Sequence, residues 1–295
     1  MPDFRLEVFN AVARRLSFTK AAGELFITQP AVTKHIHELE EQYGTKLFDR
    51  NGNRIQLTAA GRLLLRLSED LFAVYRNIDF EMHALQERQE GELKLGASTT
   101  VAQYVIPRVL GGFHAKFSGV QLSLVNGNTE QIELALQHKE IALGIVEGRS
   151  KNPVIRYTEF IKDEIVLVGD SMHVKQERVN TEELKRIPLL LREPGSGTLE
   201  VIEHTLKTHG LKLSDLQVEM YLGSTESIKS YLMHAPCMAF LSIHAVLQEL
   251  QSGAFTVVEV DGLELERYFY FIHLQGKPEG LAEGFMRYAR LHNIK

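Results

Sequence analysis

Three stretches of this 295-residue chain combine residue types and spacing that could do chemistry. Near the front, Thr28-Gln29-Pro30 opens a helical pattern in which Gln29, Thr33, Lys34 and His37 project away from Val32, Ile36 and Leu39. Polar groups at the start of such a helix can reach base edges in a major groove. In the middle, Ser98-Thr99-Thr100 follows a strand and precedes a helix that takes Pro107 into its first turn, where hydroxyls and free backbone N–H groups suit a carboxylate or other small anion. Further on, Arg192-Glu193-Pro194-Gly195-Ser196-Gly197-Thr198 and Gly223-Ser224-Thr225-Glu226-Ser227 each run from turn to helix, and Gly-Ser-Gly lets the backbone approach a ligand closely. An ion pair is the competing role for Arg192, with its neighbour Glu193 excluded as partner by geometry. Helix capping is the competing role for each Ser and Thr.

Enzyme chemistry finds little to use. The Gly-rich phrase has no P-loop lysine, the chain has no G-x-S-x-G elbow, and no general base accompanies Ser98 or Thr99. The single cysteine, Cys237, cannot form an intrachain disulfide and reads as a small core residue. The twelve histidines show no metal spacing. His35 and His37, two apart on a helix, cannot converge on one ion and read as solvated or phosphate-facing. No catalytic residue, metal or cofactor is expected.

The elements that must position these residues come in three textures. Phe4, Val8, Phe9 and Val12 lie at helical spacing; Ser17 can cap a second helix, Phe18 to Leu25, with Ala21 and Ala22 small enough for a close crossing; Thr28 can cap a third with Pro30 in its first turn. Leu47 to Leu57 reads as two short strands around Asn51-Gly52, a wing that carries Arg50, Asn53 and Arg54 towards a minor groove or phosphates. From the cap Thr58, the series Leu64, Leu67, Leu71, Tyr75, Ile78, Met82 and Leu85 advances by about three and four residues. It forms a seam suited to pairing with the same helix of a second chain. After Gly91 strands and helices alternate, with strands at 92–97, 120–125, 141–146 and 165–168. A second round follows at 188–192, 218–222, 238–241, 257–260 and 268–273, with helices near 198–209, 225–234 and 243–252. Two similar α/β lobes result.

Charge agrees with this division. The net is −5 overall, but residues 1–58 hold 8 Lys and Arg against 7 Asp and Glu, so any DNA-facing part lies at the front. No apolar run approaches a membrane span, and Asp3, Arg5 and Glu7 stand where a signal peptide needs apolar residues, which points to the cytoplasm.

Phe18-Thr19-Lys20-Ala21-Ala22, Thr28-Gln29-Pro30-Ala31-Val32-Thr33, Leu39-Glu40, Leu47-Phe48-Asp49-Arg50 and Leu57-Thr58-Ala59-Ala60-Gly61 together closely resemble the winged helix-turn-helix of LysR-type transcriptional regulators. The resemblance covers the whole chain. It implies an α+β multidomain fold: a DNA-binding module over 1–58, a linker and dimerisation helix over 59–90, and a two-lobed, periplasmic-binding-protein-like effector domain over 91–295. Lobe I would take about 91–161 and 268–295, and lobe II about 162–267. It also implies base contacts from Gln29, Thr33 and Lys34 and phosphate contacts from Ser17, Thr19 and Thr28. The wing residues Arg50, Asn53 and Arg54 would approach the minor groove, and Phe18, Lys20, Pro30 and His37 complete the DNA-binding set. Thr33 and Lys34 stand where many members carry serine and arginine, which removes a bidentate fork for guanine.

The resemblance places an effector between the lobes at Ser98, Thr99, Thr100, Asn128, Thr129, Glu147, Arg192, Ser196 and Thr225. Its implied partners are promoter DNA, a second copy through the linker helix, tetramers, and RNA polymerase, without a membrane. The Arg192 to Thr198 phrase is similar to a branch that regulates cysteine biosynthesis and carbon fixation, which implies a small anionic metabolite of sulfur or carbon assimilation. A solute-binding module is the rival reading of the rear two-thirds, and the intact front module opposes it.

Overall fold

The computed structural model describes residues 3–51, 54–86, 90–148, 152–174, 176–276, 278 and 280–292. Contacts divide the chain into two compact units, Met1–Arg88 and Gln89–Lys295. The first holds α1 (Phe4–Arg15), α2 (Phe18–Leu25), α3 (Gln29–Tyr43), the hairpin of β1 (Phe48–Asn51) and β2 (Arg54–Leu57), and the long α4 (Ala59–Gln86). Local chemistry sets the helix starts. Asp3, Ser17 and Thr28 each accept a hydrogen bond from a backbone N–H in the first turn, and Pro30 stands in the first turn of α3. Val8, Phe9, Val12, Ala21, Val32, Ile36, Leu39 and Leu47 are buried together, so each helix contributes one apolar face to a common core.

Thr58 secures the start of α4, accepting from the Gly61 N–H at 2.9 Å and donating to the Lys46 carbonyl at 2.7 Å. Asn10, buried on α1, donates to the Ser68 hydroxyl at 2.8 Å and so ties α4 to the module. The exposed apolar stripe keeps Leu67, Leu71, Ile78 and Met82 of the expected seam and differs from it at two positions. Leu64 packs on the module core beside Leu65 and Phe72, whereas the exposed stripe is Leu63, Leu67, Leu71, Val74, Ile78 and Met82. The module covers one face of the first turns, so Leu63 takes the place of Leu64 on the free face, and further along Val74 takes that of Tyr75. Tyr75 is half-buried, and the side chain of Leu85 lies outside the described residues.

The second unit runs β3 (Gly91–Ser98), α5 (Ile106–Lys116), β4 (Val120–Gly127), α6 (Thr129–Gln137), β5 (Leu143–Glu147), β6 (Ile155–Asp170), β7 (Arg178–Val179), α7 (Thr181–Leu184), β8 (Leu189–Arg192), α8 (Gly197–Thr208), β9 (Val218–Leu222), α9 (Thr225–Leu232), β10 (Met238–Ser242), α10 (Ile243–Ser252), β11 (Phe255–Val260), β12 (Leu265–Leu274) and α11 (Gly280–Leu291). The sheet order is β4-β3-β5-β12-β6-β10-β8-β9, with β11 and β7 off that path. Parallel β3, β4 and β5 form one lobe and parallel β8, β9 and β10 the other. The antiparallel pair β6 and β12 runs through both.

The strand expected at 165–168 is thus the far end of a 16-residue strand. Arg156, Glu159, Lys162, Asp163 and Glu164 obscure its alternation, because a strand that changes lobes changes surroundings along its length. A π-helical turn at Val101–Val105, between β3 and α5, carries no sequence signal of its own. In the first lobe Phe113 packs against Phe117, Phe285 and Tyr288 on one face of the sheet. In the second lobe Leu189, Leu191, Ile202 and Leu206 fill one face and Leu190, Ile228, Leu232 and Ala239 the other. Among the described residues no helix is long and apolar enough to cross a membrane.

Candidate functional site

On the helical module, α2 and α3 are separated only by Phe26, Ile27 and Thr28. Gln29, Pro30, Lys34 and His37 are exposed and Thr33 is half-buried, all on the outward side of α3. The Gln29 amide donates to the Thr33 hydroxyl at 2.9 Å, an i to i+4 bond that fixes two of the proposed base-reading groups relative to each other. Lys34 approaches Glu38 at 3.8 Å and His37 approaches Glu41 at 3.2 Å, both loose surface pairs. The hydroxyls of Ser17 and Thr28 cap α2 and α3, whose N-terminal ends favour phosphate; Thr19 and Lys20 are exposed on the first turn of α2.

Two expectations need correction. Phe18 is buried and packs edge-on against Phe48, ring centroids 5.9 Å apart, because its position on α2 faces the module core. His35 is not solvated: it lies half-buried, edge-on to Phe4 at 5.5 Å, one residue before the buried Ile36. In the wing Asn51 pairs with Arg54 across the turn. Asn53 and the side chains of Arg50 and Arg54 lie outside the described residues.

In the second unit the ends of β3 and β8 meet where the lobes join, with Arg192 bonded to Thr99. Ser98, Thr99, Thr100, Thr129, Glu147, Arg192, Ser196 and Thr225 are all buried there, and Asn128 is half-buried at the rim. Arg192 stands at the last position of β8 and is only 2% exposed. Its Nη1 donates to Thr225 at 3.2 Å and its Nη2 to Thr99 of the other lobe at 3.4 Å. Glu193 does pair with it, contrary to expectation, accepting from Nε at 2.8 Å and Nη2 at 3.0 Å. The strand stops at Arg192, so the alternation that would send neighbours to opposite faces no longer applies.

Hydrogen bonds to the backbone carbonyls of Pro194 and Gly195, one of them from the Asn128 side chain, close the opposite rim. The Glu130 N–H donates to the Gly195 carbonyl at 3.3 Å, and the Asn128 amide to the Pro194 carbonyl at 3.5 Å. Asn128 also caps α6 in a box with Gln131. Gly197 is required by proximity: a Cβ there would lie 2.2 Å from the Glu147 carbonyl oxygen. Ser196 precedes α8 without using its side chain as a cap, and the hydroxyls of Ser196 and Ser98 are buried with no hydrogen-bond partner. A guanidinium, a helix N-terminus and two free hydroxyls are groups that bind oxyanions.

Sequence reasoning missed the polar cluster behind this wall. Arg267 on β12 stands opposite Asp163 on β6 and is 1% exposed at its side chain. Its Nε donates to Asp163 at 2.7 Å, its Nη1 to Thr198 at 2.9 Å, and its Nη2 lies 2.9 Å from Glu147. Glu147 also accepts from Thr100 at 3.4 Å and Thr198 at 3.1 Å, and Ser242 donates to Asp163 at 2.7 Å. Glu147 is therefore committed to the strands that link the lobes. Asp163 sits in the run Lys162-Asp163-Glu164, which reads as a solvated face. Only strand register turns its carboxylate inward. Cys237 is buried beside Ile228 and Leu232, and burial together with Glu219 pushes its thiol up to about 11.

Comparison with known proteins agrees with this geometry. The description "LysR substrate binding domain" matches residues 86–292, and "Bacterial regulatory helix-turn-helix protein, lysR family" matches residues 4–62. The RuBisCO operon transcriptional regulator of Acidithiobacillus ferrooxidans is 33% identical over 287 residues, 96% of this chain and 92% of that protein. The structure of CrgA, a LysR-type transcriptional regulator from Neisseria meningitidis, shares the fold with a TM-score of 0.72 at 19% identity, over 99% of this chain and 100% of that one. The regulatory domain of CcmR from Synechocystis PCC6803, solved in complex with 2-PG, matches at a TM-score of 0.61 and 28% identity, covering 68% of this chain and 95% of that one. A capped helix-turn-helix in front and a two-lobed sheet domain behind match along their whole lengths, so the chain belongs to the LysR family of bacterial transcriptional regulators, DNA-binding proteins that carry a domain for a small-molecule effector.

Proposed function

We infer that the chain holds a small carboxylate or phosphate-bearing anion between its lobes and changes its grip on promoter DNA in response. The observation that carries this reading is the buried Arg192, bonded across the lobes to Thr99, with the buried hydroxyls of Ser98, next to Thr99 in the chain, and Ser196, four residues past Arg192, left without a partner. Buried polar groups are nearly always paired, so two orphans in one wall suit a ligand with several oxygens. Ser98, Thr99, Thr100, Asn128, Thr129, Arg192, Ser196 and Thr225 form the effector site, and Glu147 holds it from behind through Thr100, Thr198 and Arg267. Arg192 exchanges Glu193, the most exposed of its partners, for the ligand. The complex of CcmR with 2-PG supports a small ligand of this class, and the RuBisCO operon regulator supports a target in carbon assimilation.

On DNA, Gln29, Thr33 and Lys34 read bases; Ser17, Thr19 and Thr28 hold phosphates, with Lys20, Pro30 and His37 beside them; Arg50, Asn53 and Arg54 approach the minor groove. Residues 1–58 act as the DNA-binding domain and 91–295 as the effector domain. Helix 59–90 pairs with a second copy through the exposed stripe from Leu63 to Met82, and dimers assemble as tetramers that contact RNA polymerase in the cytoplasm. The effector acts only if it binds two arrangements of this assembly unequally.

The test is retention of genomic DNA fragments by the full-length protein, with Gln29→Ala/Lys34→Ala as control, alongside calorimetric titration with 2-PG and inorganic phosphate. Enrichment upstream of one operon, lost in the control, is expected, as is anion binding lost in Arg192→Met. Equal enrichment by the control would refute the assignment of the reading helix. Anion binding that survives Arg192→Met would refute the assignment of the cleft.

A further inference from the structure

Lys229 on α9 is a buried cation outside the effector site, its side chain 7% exposed. Lysines are almost never buried unless paired. Its ammonium lies 3.0 Å from Glu226 on the same helix and 2.8 Å from Glu249 on α10. The ring of Tyr104 covers it, with Nζ 5.0 Å from the ring centroid, and the Tyr104 hydroxyl donates to the same Glu226 oxygen that Lys229 engages. Tyr104 comes from the first lobe, on the π-helical turn that follows Thr100, while the other three residues belong to the second lobe. Such turns give up regular helical bonding and concentrate at functional positions.

Within the second lobe Lys229 meets one exposed and one largely buried carboxylate, the side chain of Glu226 being 56% exposed and that of Glu249 13%. Two carboxylates face one ammonium, and Glu249 Oε2 is buried with no hydrogen-bond partner. Tyr104, from the first lobe, donates to Glu226 and covers the shared ammonium with a cation–π contact at once, while Glu249 Oε2 keeps no donor. Burial and the hydrogen bond to Glu226 hold its phenol above the ordinary range, which keeps it a donor. Thr225, the residue before Glu226, accepts from Arg192, so the cluster and the effector site share the first turn of α9.

We propose that Tyr104, Glu226, Lys229 and Glu249 are positioning residues for the effector response: a latch between the lobes that sets how much of the protein is closed before any effector arrives. A ligand that needs the closed arrangement binds more weakly in proportion as that arrangement is less populated. The latch therefore tunes sensitivity without touching the ligand, whatever anion binds.

Hydrogen exchange on the full-length protein without added ligand tests this. Tyr104→Phe keeps the ring over Lys229 and removes only the hydroxyl; Glu226→Gln alters the acceptor on the other lobe. Each is expected to speed amide exchange about tenfold in Val101–Val105, in Thr225–Leu232 and in the Arg192–Thr198 segment that bonds to Thr225, with the double variant no faster than either single one. Unchanged exchange would overturn the latch. So would a rise confined to Val101–Val105, which is local loosening, or additive effects in the double variant, which mean that the two groups act separately.

Discussion

The same residue types serve opposite ends in the two units. On α3 the hydroxyl of Thr33 is held by Gln29 four residues away, on a surface open to a partner. In the cleft Thr99, Thr100 and Thr198 are buried and bonded to groups 28 to 93 positions distant. A reading surface must protrude, so its preorganisation comes from neighbours on one helix and costs the fold little to change. The cleft wall is built from long-range bonds that also hold the lobes, so changing any of its bonded members also changes stability.

Three substitutions break or sharpen that contrast. Arg267→Ala leaves Asp163 and Glu147 buried without their cation and is expected to destabilise the second unit by about 3–5 kcal/mol. Urea unfolding followed separately in the two units checks this, and a drop shared equally by the helical module would erase the contrast. Gln29→Ala is expected to cost about 1–3 kcal/mol of discrimination at the base it reads, with thermal stability unchanged. Competition among operator variants measures the loss, and a uniform weakening across all sequences would move Gln29 from bases to phosphates. Ser98→Ala has the smallest effect on stability, about 1 kcal/mol or less and in the stabilising direction, since it deletes a buried hydroxyl without a partner. The same variant weakens anion binding in calorimetry, and unchanged binding would separate Ser98 from the ligand.

Much of the helical module was legible because its determinants are local. Ser17, Thr28 and Thr58 cap the helices that follow them, Pro30 occupies a first turn, and the outward face of α3 follows from the 3.6-residue period. The seam of α4 runs as expected through Leu67, Leu71, Ile78 and Met82 and departs from expectation at Leu64 and Tyr75, and Phe18, placed among the DNA contacts, is buried. In both cases the side that another element covers is a tertiary fact. In the second unit the strands and the turns carrying Ser98, Arg192 and Thr225 could be read, but the extent of β6 could not, since its charged stretch alternates for two different lobes.

By itself the sequence determined what depends on neighbours within about a turn of chain: the caps, the reading face, the order of strand and helix, the absence of a disulfide, and the motifs that mark the family. Only the tertiary structure decided which charges are buried together. Asp163 meets Arg267 across 104 positions, Tyr104 meets Glu226 across 122, and Glu193 folds back on Arg192 at a strand end. A carboxylate in a charged run looks solvated from the chain alone. Strand register and lobe packing turn it inward, because the cost of burying it is offset only by a cation that a distant segment supplies.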